Sequence, residues 1–292
     1  MKVKVWAKLN LSLNVFPRET NGFHPVDSVA ISVNLGDTVS VKPCNTTEVT
    51  LSGCKNIPVQ QNVAYKAARA FVERFGTNGC KIKIKKRIPI GSGLGGSSAD
   101  AAAVICCLCR LYGVEKNSND VKQLCAQLGS DVYFMLFGGV ARLTGKGEEV
   151  AHLDDYPDLF FAVTFFDKPL LTKDVYERFD ELAQSGVLCN NDVLTELLQQ
   201  RRTEQALQMF SNGLQNAANS LSNFAQDYLQ YCAESNLRCN MTGSGSAFYV
   251  AFPTLQEAKL ATKMLNARGF KTKCLSYVSW GVQTTNFLFH VV

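Results

Sequence analysis

The chain of 292 residues lacks any apolar run near the roughly 18 to 20 residues that a membrane helix needs. Its longest apolar stretches, Ala101 to Cys109 and Leu159 to Phe166, fall far short, so no membrane span is expected. A charged and apolar leader is missing too, since an alternating strand pattern begins at Val3; the expected location is the cytoplasm. Charge excess is small, +5, and the basic residues are not gathered with aromatics as a nucleic-acid surface requires. A small anionic ligand fits better. The eleven cysteines show no paired spacing of a disulfide framework or zinc site, which points to reduced, mostly buried thiols. Cys106, Cys107 and Cys109 share one predicted helix, point in divergent directions and have no histidine nearby, so no metal site is assigned. Repeats, low-complexity tracts and flexible linkers are also absent.

What is present is a glycine-rich segment, Pro89-Ile-Gly-Ser-Gly-Leu-Gly-Gly-Ser-Ser-Ala-Asp100, between a strand pattern and a small-residue helix pattern. Such a junction offers backbone N–H groups and the positive end of a helix to an anion, and glycines let the main chain approach it closely. Gly91, Gly93 and Gly96 satisfy the G-x-G-x-x-G spacing of a dinucleotide site, but the preceding strand, Lys81 to Ile88, is charged on alternate positions and should have one wet face. Glu115 has the spacing of a ribose-binding acid, yet it follows Gly113, a helix stop. The P-loop pattern fails because Ser97 stands where its lysine belongs. A plain glycine turn without ligand is the remaining alternative.

Residues 3 to 15 alternate apolar Val3, Val5, Ala7, Leu9, Leu11, Leu13 and Val15 on one face with Lys4, Trp6, Lys8, Asn10, Ser12 and Asn14 on the other, which predicts a half-buried strand. Strands follow over 27 to 52, broken at Gly36-Asp37 and Pro43, then a helix over Val63 to Phe75 and a strand over 80 to 88. Helices are predicted at 97 to 112 and 119 to 128, and a strand from Gly138-Gly139 toward Thr144. The pattern changes near residue 155, giving two expected domains, 1–155 and 156–292. The second opens with a strand at 159 to 166 and helices at 173 to 184, 191 to 200, 203 to 211 and 216 to 235. A strand at 247 to 252, a helix at 254 to 268 and a strand at 271 to 278 follow. Together these predict an α+β fold with a helix-backed, mostly antiparallel second sheet.

Period-two spacing puts Lys8 and Asn10 on one strand face, where Lys8 could neutralise phosphate or remain a solvated lysine. Asp131, after Gly129-Ser130, reads locally as the N-cap of a helix over the following apolar run. A second glycine cluster, Met241-Thr-Gly-Ser-Gly-Ser-Ala247, could sit beside phosphates or form a tight turn before a strand. Asn21-Gly-Phe-His24 is a turn whose aromatic and imidazole suit a flat base, or an ordinary surface turn.

In this order, the first strand, the loop at 89 to 100 and the Met241-Thr-Gly-Ser-Gly-Ser motif resemble the GHMP kinase superfamily. The short pieces Lys8-Leu-Asn10, Gly22-Phe-His24 and Leu128-Gly-Ser-Asp131 set the chain apart from its homoserine and mevalonate kinases. The resemblance implies a two-domain GHMP kinase fold, with an N-terminal ribosomal protein S5 domain 2-like half and a C-terminal ferredoxin-like α/β sandwich. It implies ATP-dependent phosphorylation of the 2-hydroxyl of a cytidine diphosphate methylerythritol, in the non-mevalonate route to isoprenoids, with ATP and Mg2+ as cofactors. Asp131 would be the catalytic base, and Lys8 would steady it and the substrate hydroxyl. Pro89, Ile90, Gly91, Ser92, Gly93, Leu94, Gly95, Gly96, Ser97, Ser98 and Ala99 would bind the ATP phosphates. Asn10, Phe23 and His24 would contact the cytidine end, with Thr172 and Tyr176 closing over it from the second half. Tyr133 departs from the usual proline and Phe23 from the usual tyrosine, and neither removes a catalytic group. The expected partners are the small-molecule substrate and a second copy in a homodimer, with no nucleic acid and no membrane. Another small-molecule kinase of the superfamily, of homoserine or mevalonate type, and a non-catalytic ligand sensor on the same fold remain open alternatives.

Overall fold

The computed structural model describes residues 1–53, 58–154, 156–168, 170–182 and 189–284. The expected domain boundary at 155, the end of the helix expected over 173 to 184, and Cys54 lie outside them. The first part contains β1 (Lys2–Val15), β2 (Val26–Pro43), β3 (Glu48–Ser52), α1 (Val63–Phe75), β4 (Cys80–Lys85), α2 (Gly96–Tyr112), α3 (Asn119–Leu128), α4 (Val132–Phe137), β5 (Val140–Thr144) and β6 (Glu149–His152). There follow β7 (Phe160–Phe165), α5 (Thr172–Glu181), α6 (Asn191–Gln199), α7 (Thr203–Leu207), β8 (Ser211–Asn212), α8 (Gln215–Leu221), α9 (Gln226–Glu234), β9 (Cys239–Met241), β10 (Phe248–Phe252), α10 (Leu255–Ala267), β11 (Lys271–Ser276) and β12 (Val282–Thr284).

Two sheets carry the architecture, which is α+β. The larger has the order β12-β1-β2-β4-β3, with β5 and β6 continuing from β2 and β8 alongside β1. Its β8 and β12 come from the later part of the chain. The smaller sheet, β11-β7-β10-β9, pairs antiparallel throughout. Val3, Val5, Ala7, Leu9 and Leu11 of β1 face a core filled by α1, α2 and α4, in which every residue of α2 from Ala99 to Cys109 is buried. A second core lies around Tyr228, Phe248, Val175 and Leu265.

Local chemistry sets the helix ends. The Asn62 carboxamide caps α1 by accepting from Ala64 N–H at 2.9 Å, and Gly76 ends it at φ +62°. Ser118 and Thr254 cap α3 and α10 in the same way. The strand β4 alternates buried isoleucines with exposed lysines, the one wet face that its sequence predicts. Ten described cysteines are free, seven of them buried and three half-buried. Burial pushes the thiols of Cys107, Cys109 and Cys125 up to about 12, so they are poor nucleophiles.

Several expectations need correction. The first strand is buried on both faces, because the glycine loop and the smaller sheet cover its polar side. Gly36-Asp37 does not break β2; the strand runs on through a register shift opposite Trp6 and Ala7, where a Cβ on Gly36 would lie 2.4 Å from the Val5 carbonyl oxygen. The helix expected over 203 to 211 stops at Leu207, and Ser211-Asn212 pairs with β1 instead. The helix expected over 216 to 235 is two helices, separated where Ser222 takes an extended conformation. The short strands β6, β8, β9 and β12 have too few residues for their alternation to register in sequence.

Candidate active site

The loop from Pro89 to Gly95 leaves the end of β4 and returns into α2. Gly91, Gly93 and Gly95 have φ of +67°, +76° and +71°, a region that other residues enter at a steric cost. Leu94 carbonyl accepts from Lys8 N–H at 3.1 Å, tying the loop to β1, and Ser92 carbonyl accepts from Ala247 N–H at 3.1 Å, tying it to the second glycine motif. A Cβ on Gly93 would sit 2.0 Å from the Thr242 carbonyl oxygen, and one on Gly243 would sit 2.8 Å from that of Gly93. The two glycine motifs are therefore packed backbone to backbone. No side chain caps the N-terminus of the 17-residue α2. Its first-turn N–H groups and dipole are left to an anion.

Beneath Gly95 lies the pair to which the family resemblance gives the chemistry. Lys8 Nζ is 3.6 Å from Asp131 Oδ2, with Lys8 buried and Asp131 partly open. Asp131 does occupy the N-cap position of α4, but its side chain makes no capping hydrogen bond and turns to Lys8 instead. A Cβ on Gly95 would fall 3.3 Å from Lys8 Cγ and 3.6 Å from Asp131 Oδ2, so the loop passes directly over the pair. Lys8 also donates to Asn10 Oδ1. That oxygen accepts from Gly243 N–H at 2.9 Å, while Asn10 Nδ2 donates to Ser28 Oγ at 2.8 Å. Asn10 thus locks β1 to the second glycine motif.

A cavity of about 480 Å³ joins these parts. Its wall includes Lys8, Asn10, residues 89 to 98, Asp131, Thr172 and Tyr176. Thr172 and Ser244 share a hydroxyl hydrogen bond at 2.9 Å, which closes the wall between α5 and the second glycine motif. Burial, with Asp131 adding to it, pushes the Tyr176 phenol up to about 12, so it remains a neutral donor. Three residues assigned from sequence stand apart from the wall. Ala99 is buried behind the loop, and Phe23 is exposed at the rim with Lys146 Nζ 3.9 Å above its ring. His24 is buried behind Tyr176, at 5.2 Å between ring centroids, with Nδ1 2.8 Å from Phe16 O and Nε2 3.1 Å from Asp180 Oδ1.

Sequence reasoning missed a buried charge cluster under the loop. Lys86 Nζ donates to Asp37 Oδ2 at 2.5 Å, Asp100 Oδ2 at 2.7 Å and the Gly96 carbonyl at 3.2 Å. Asp37 Oδ1 accepts from the N–H groups of Arg87 at 2.5 Å and Ile88 at 2.9 Å, so the cluster clamps both the entry and the exit of the loop. Burial works against the Lys86 ammonium, but Asp100 and Asp37 outweigh it and hold its pKa above that of an ordinary lysine. Asp100 is pushed up to about 7, chiefly by burial, with Asp37 adding and Lys86 opposing. Asn62 and Lys146 also line the cavity.

A glycine loop thus grips a helix N-terminus above a lysine and a carboxylate. The profile described as GHMP kinases N terminal domain matches residues 62–139. The 4-diphosphocytidyl-2-C-methyl-D-erythritol kinase of Caldicellulosiruptor saccharolyticus is 31% identical over 271 residues, covering 91% of this chain and 92% of that protein. The protein of the same name from Desulfitobacterium hafniense is 32% identical over 276 residues, with 91% of each covered. A crystal structure of 4-(cytidine 5'-diphospho)-2C-methyl-D-erythritol kinase superposes with a TM-score of 0.78 at 29% identity, over 95% of this chain and 99% of that one. Homoserine kinase from Cytophaga hutchinsonii shares the fold, with a TM-score of 0.70 at 18% identity over 97% of this chain and 96% of that one. The chain belongs to the 4-diphosphocytidyl-2-C-methyl-D-erythritol kinase family of GHMP kinases. It is an ATP-dependent kinase with an alcohol as acceptor.

Proposed function

We propose that this chain transfers the γ-phosphoryl group of ATP to the 2-hydroxyl of 4-diphosphocytidyl-2-C-methyl-D-erythritol, a step of the non-mevalonate route to isoprenoids. The observation that carries the reading is the Lys8–Asp131 pair at 3.6 Å, under Gly95 and in one cavity with the phosphate loop. Asp131 accepts the proton of the acceptor hydroxyl as the new P–O bond forms and the bond to the leaving ADP breaks. Lys8 steadies Asp131 and neutralises charge at the acceptor oxygen. The amides of residues 91 to 98, the Ser98 hydroxyl and the α2 dipole hold the phosphates in line, and phosphoryl transfer asks mainly for such positioning and charge neutralisation. Pro89 and Ile90 line the cavity at the start of the loop and complete the ATP site.

Among the described residues no group of three or more His, Cys, Asp or Glu could hold a metal ion. Magnesium would be held together with the ATP phosphates by the loop and the Ser98 hydroxyl, and would supply charge neutralisation to the transferring phosphoryl group. Asn10 and Tyr176 contact the cytidine end with Thr172, Phe23 provides an exposed ring beside Lys146, and His24 backs Tyr176. Residues 1–155 act as the ATP and catalytic half and 156–292 as the half that closes on the acceptor, in the cytoplasm and as a homodimer. No helix of the described residues is long and apolar enough to cross a membrane. Phosphorus NMR of a reaction of purified protein, ATP, magnesium and the cytidine diphosphate acceptor tests the reading. A new phosphomonoester signal with ADP is expected; turnover of homoserine or mevalonate in its place overturns it.

A further inference from the structure

We propose that Asp100 takes up a proton when nucleotide enters the cavity, so that the Asp37–Lys86–Asp100 cluster under the loop becomes neutral as the phosphates arrive. The inference rests on reading the cavity as a nucleotide site, and it concerns a positioning residue, since Asp100 acts on the loop through Lys86. With both carboxylates ionised, the cluster carries one excess negative charge. The two carboxylates are not equivalent. Asp37 has both oxygens satisfied, Oδ1 by the Arg87 and Ile88 N–H groups and Oδ2 by Lys86. Asp100 has Lys86 on Oδ2 only, and its Oδ1 is buried with no hydrogen-bond partner. A buried carboxylate oxygen without a donor is costly to keep charged.

The place of the cluster makes that charge matter to the ligand. Lys86 holds the Gly96 carbonyl in the first turn of α2, one turn before Asp100, and both Lys86 and Asp100 line the cavity. Charged groups around Asp100 are Lys86 from the segment after β4 and Asp37 from β2; across the same cavity stand Lys8 from β1, Asp131 before α4 and Lys146 after β5. Its own helix offers no other charge before Arg110, and Asn62 at the start of α1 is neutral. In a low dielectric, phosphates arriving at this turn penalise a charge beneath it. Asp100 without nucleotide is pushed up to about 7, near enough to neutrality for that penalty to decide its state. The proton comes from solvent and binds Oδ1, and no other bond changes.

Calorimetric titration of ADP into the wild-type protein, in two buffers of different ionisation enthalpy between about pH 7.5 and 8.5, counts the protons taken up. The terminal phosphate of ADP, with an ionisation near pH 6, has already lost its proton there. Uptake approaching one proton is expected, with affinity falling by up to about tenfold per pH unit. Asp100→Asn should abolish both the uptake and the pH slope. A purely structural role would change affinity and leave the proton count alone. Wild-type protein that binds ADP without proton uptake, or Asp100→Asn that retains it, overturns the inference. If Asp100→Asn does not fold, infrared difference spectra of wild-type protein labelled at aspartate carboxyls should gain a protonated-carboxyl band on ADP binding, and its absence is equally decisive against it. Absence of any ADP binding overturns the nucleotide reading and this inference with it.

Discussion

Gly93 lies against Thr242 so closely that a Cβ on the glycine would come within 2.0 Å of the threonine carbonyl oxygen. The contact joins the phosphate loop of the larger sheet to the turn entering β10 of the smaller one, so the two motifs hold one another in shape. At φ +76° a side chain at position 93 is strained in addition to clashing. Gly93→Ala should therefore displace the loop from the second motif, destabilise the protein by at least about 1–2 kcal/mol and raise the KM for ATP. Denaturant unfolding and steady-state kinetics check both parts.

Asp131 and Lys8 should separate from the loop in their effects. Asp131→Asn keeps the shape and removes the base, so kcat should fall by about 10²–10⁴-fold with the KM for ATP little changed. Lys8→Ala also removes a donor to Asn10, and kcat should fall by roughly 10²-fold or more while the KM for the acceptor rises. Equal kcat for wild type and Asp131→Asn would remove Asp131 from the chemistry.

The glycine loop was legible from a local physical reason, glycines where φ is positive, whereas Asp131 read locally as a helix cap and Lys8 as a strand lysine, and only the ordered set of motifs joined them into one site. The buried cluster was less obvious, yet its signal was parity. In β4 the exposed lysines are 81, 83 and 85 while Ile82 and Ile84 are buried, and Lys86 falls on the buried parity. Asp37 likewise shares parity with buried Val39 and Val41, and Asp100 interrupts a wholly buried run of α2. What could not be read is which strand lies beside which. The polar face of the first strand looked wet because nothing local announces that Tyr249, Cys189 and Asn191, all distant in the chain, hydrogen-bond to it.

Stability should carry the signature of Asp100. Its folded-state pKa of about 7 exceeds the ordinary carboxylate value, so its contribution is complete below about pH 4 and is lost as pH rises through about 7. Across that window the loss is at most about 4 kcal/mol, near 1.4 kcal/mol per pH unit where the slope is full. Asp100→Asn should flatten this part of the unfolding free energy. Lys86 has the opposite charge and a raised pKa, so its contribution persists through neutrality and disappears only in alkali. Urea unfolding at stepped pH, wild type against Asp100→Asn, shows the difference directly.

The Tyr249 phenol donates to the Asn10 carbonyl at 2.7 Å, a buried hydrogen bond between β10 of the smaller sheet and β1 of the larger. Tyr249→Phe leaves the ring in its packing and strips Asn10 of that donor, which should destabilise the protein by about 1–3 kcal/mol. Asn10 also receives Lys8 and Gly243 on its side-chain oxygen, so a shift of its backbone moves Lys8 relative to Asp131. The expected kinetic outcome is a lower kcat with a smaller change in the KM for ATP, since the loop keeps its tie to Ala247 N–H through the Ser92 carbonyl. Loss of stability with kcat untouched would show that Tyr249 fastens the sheets without tuning the catalytic pair.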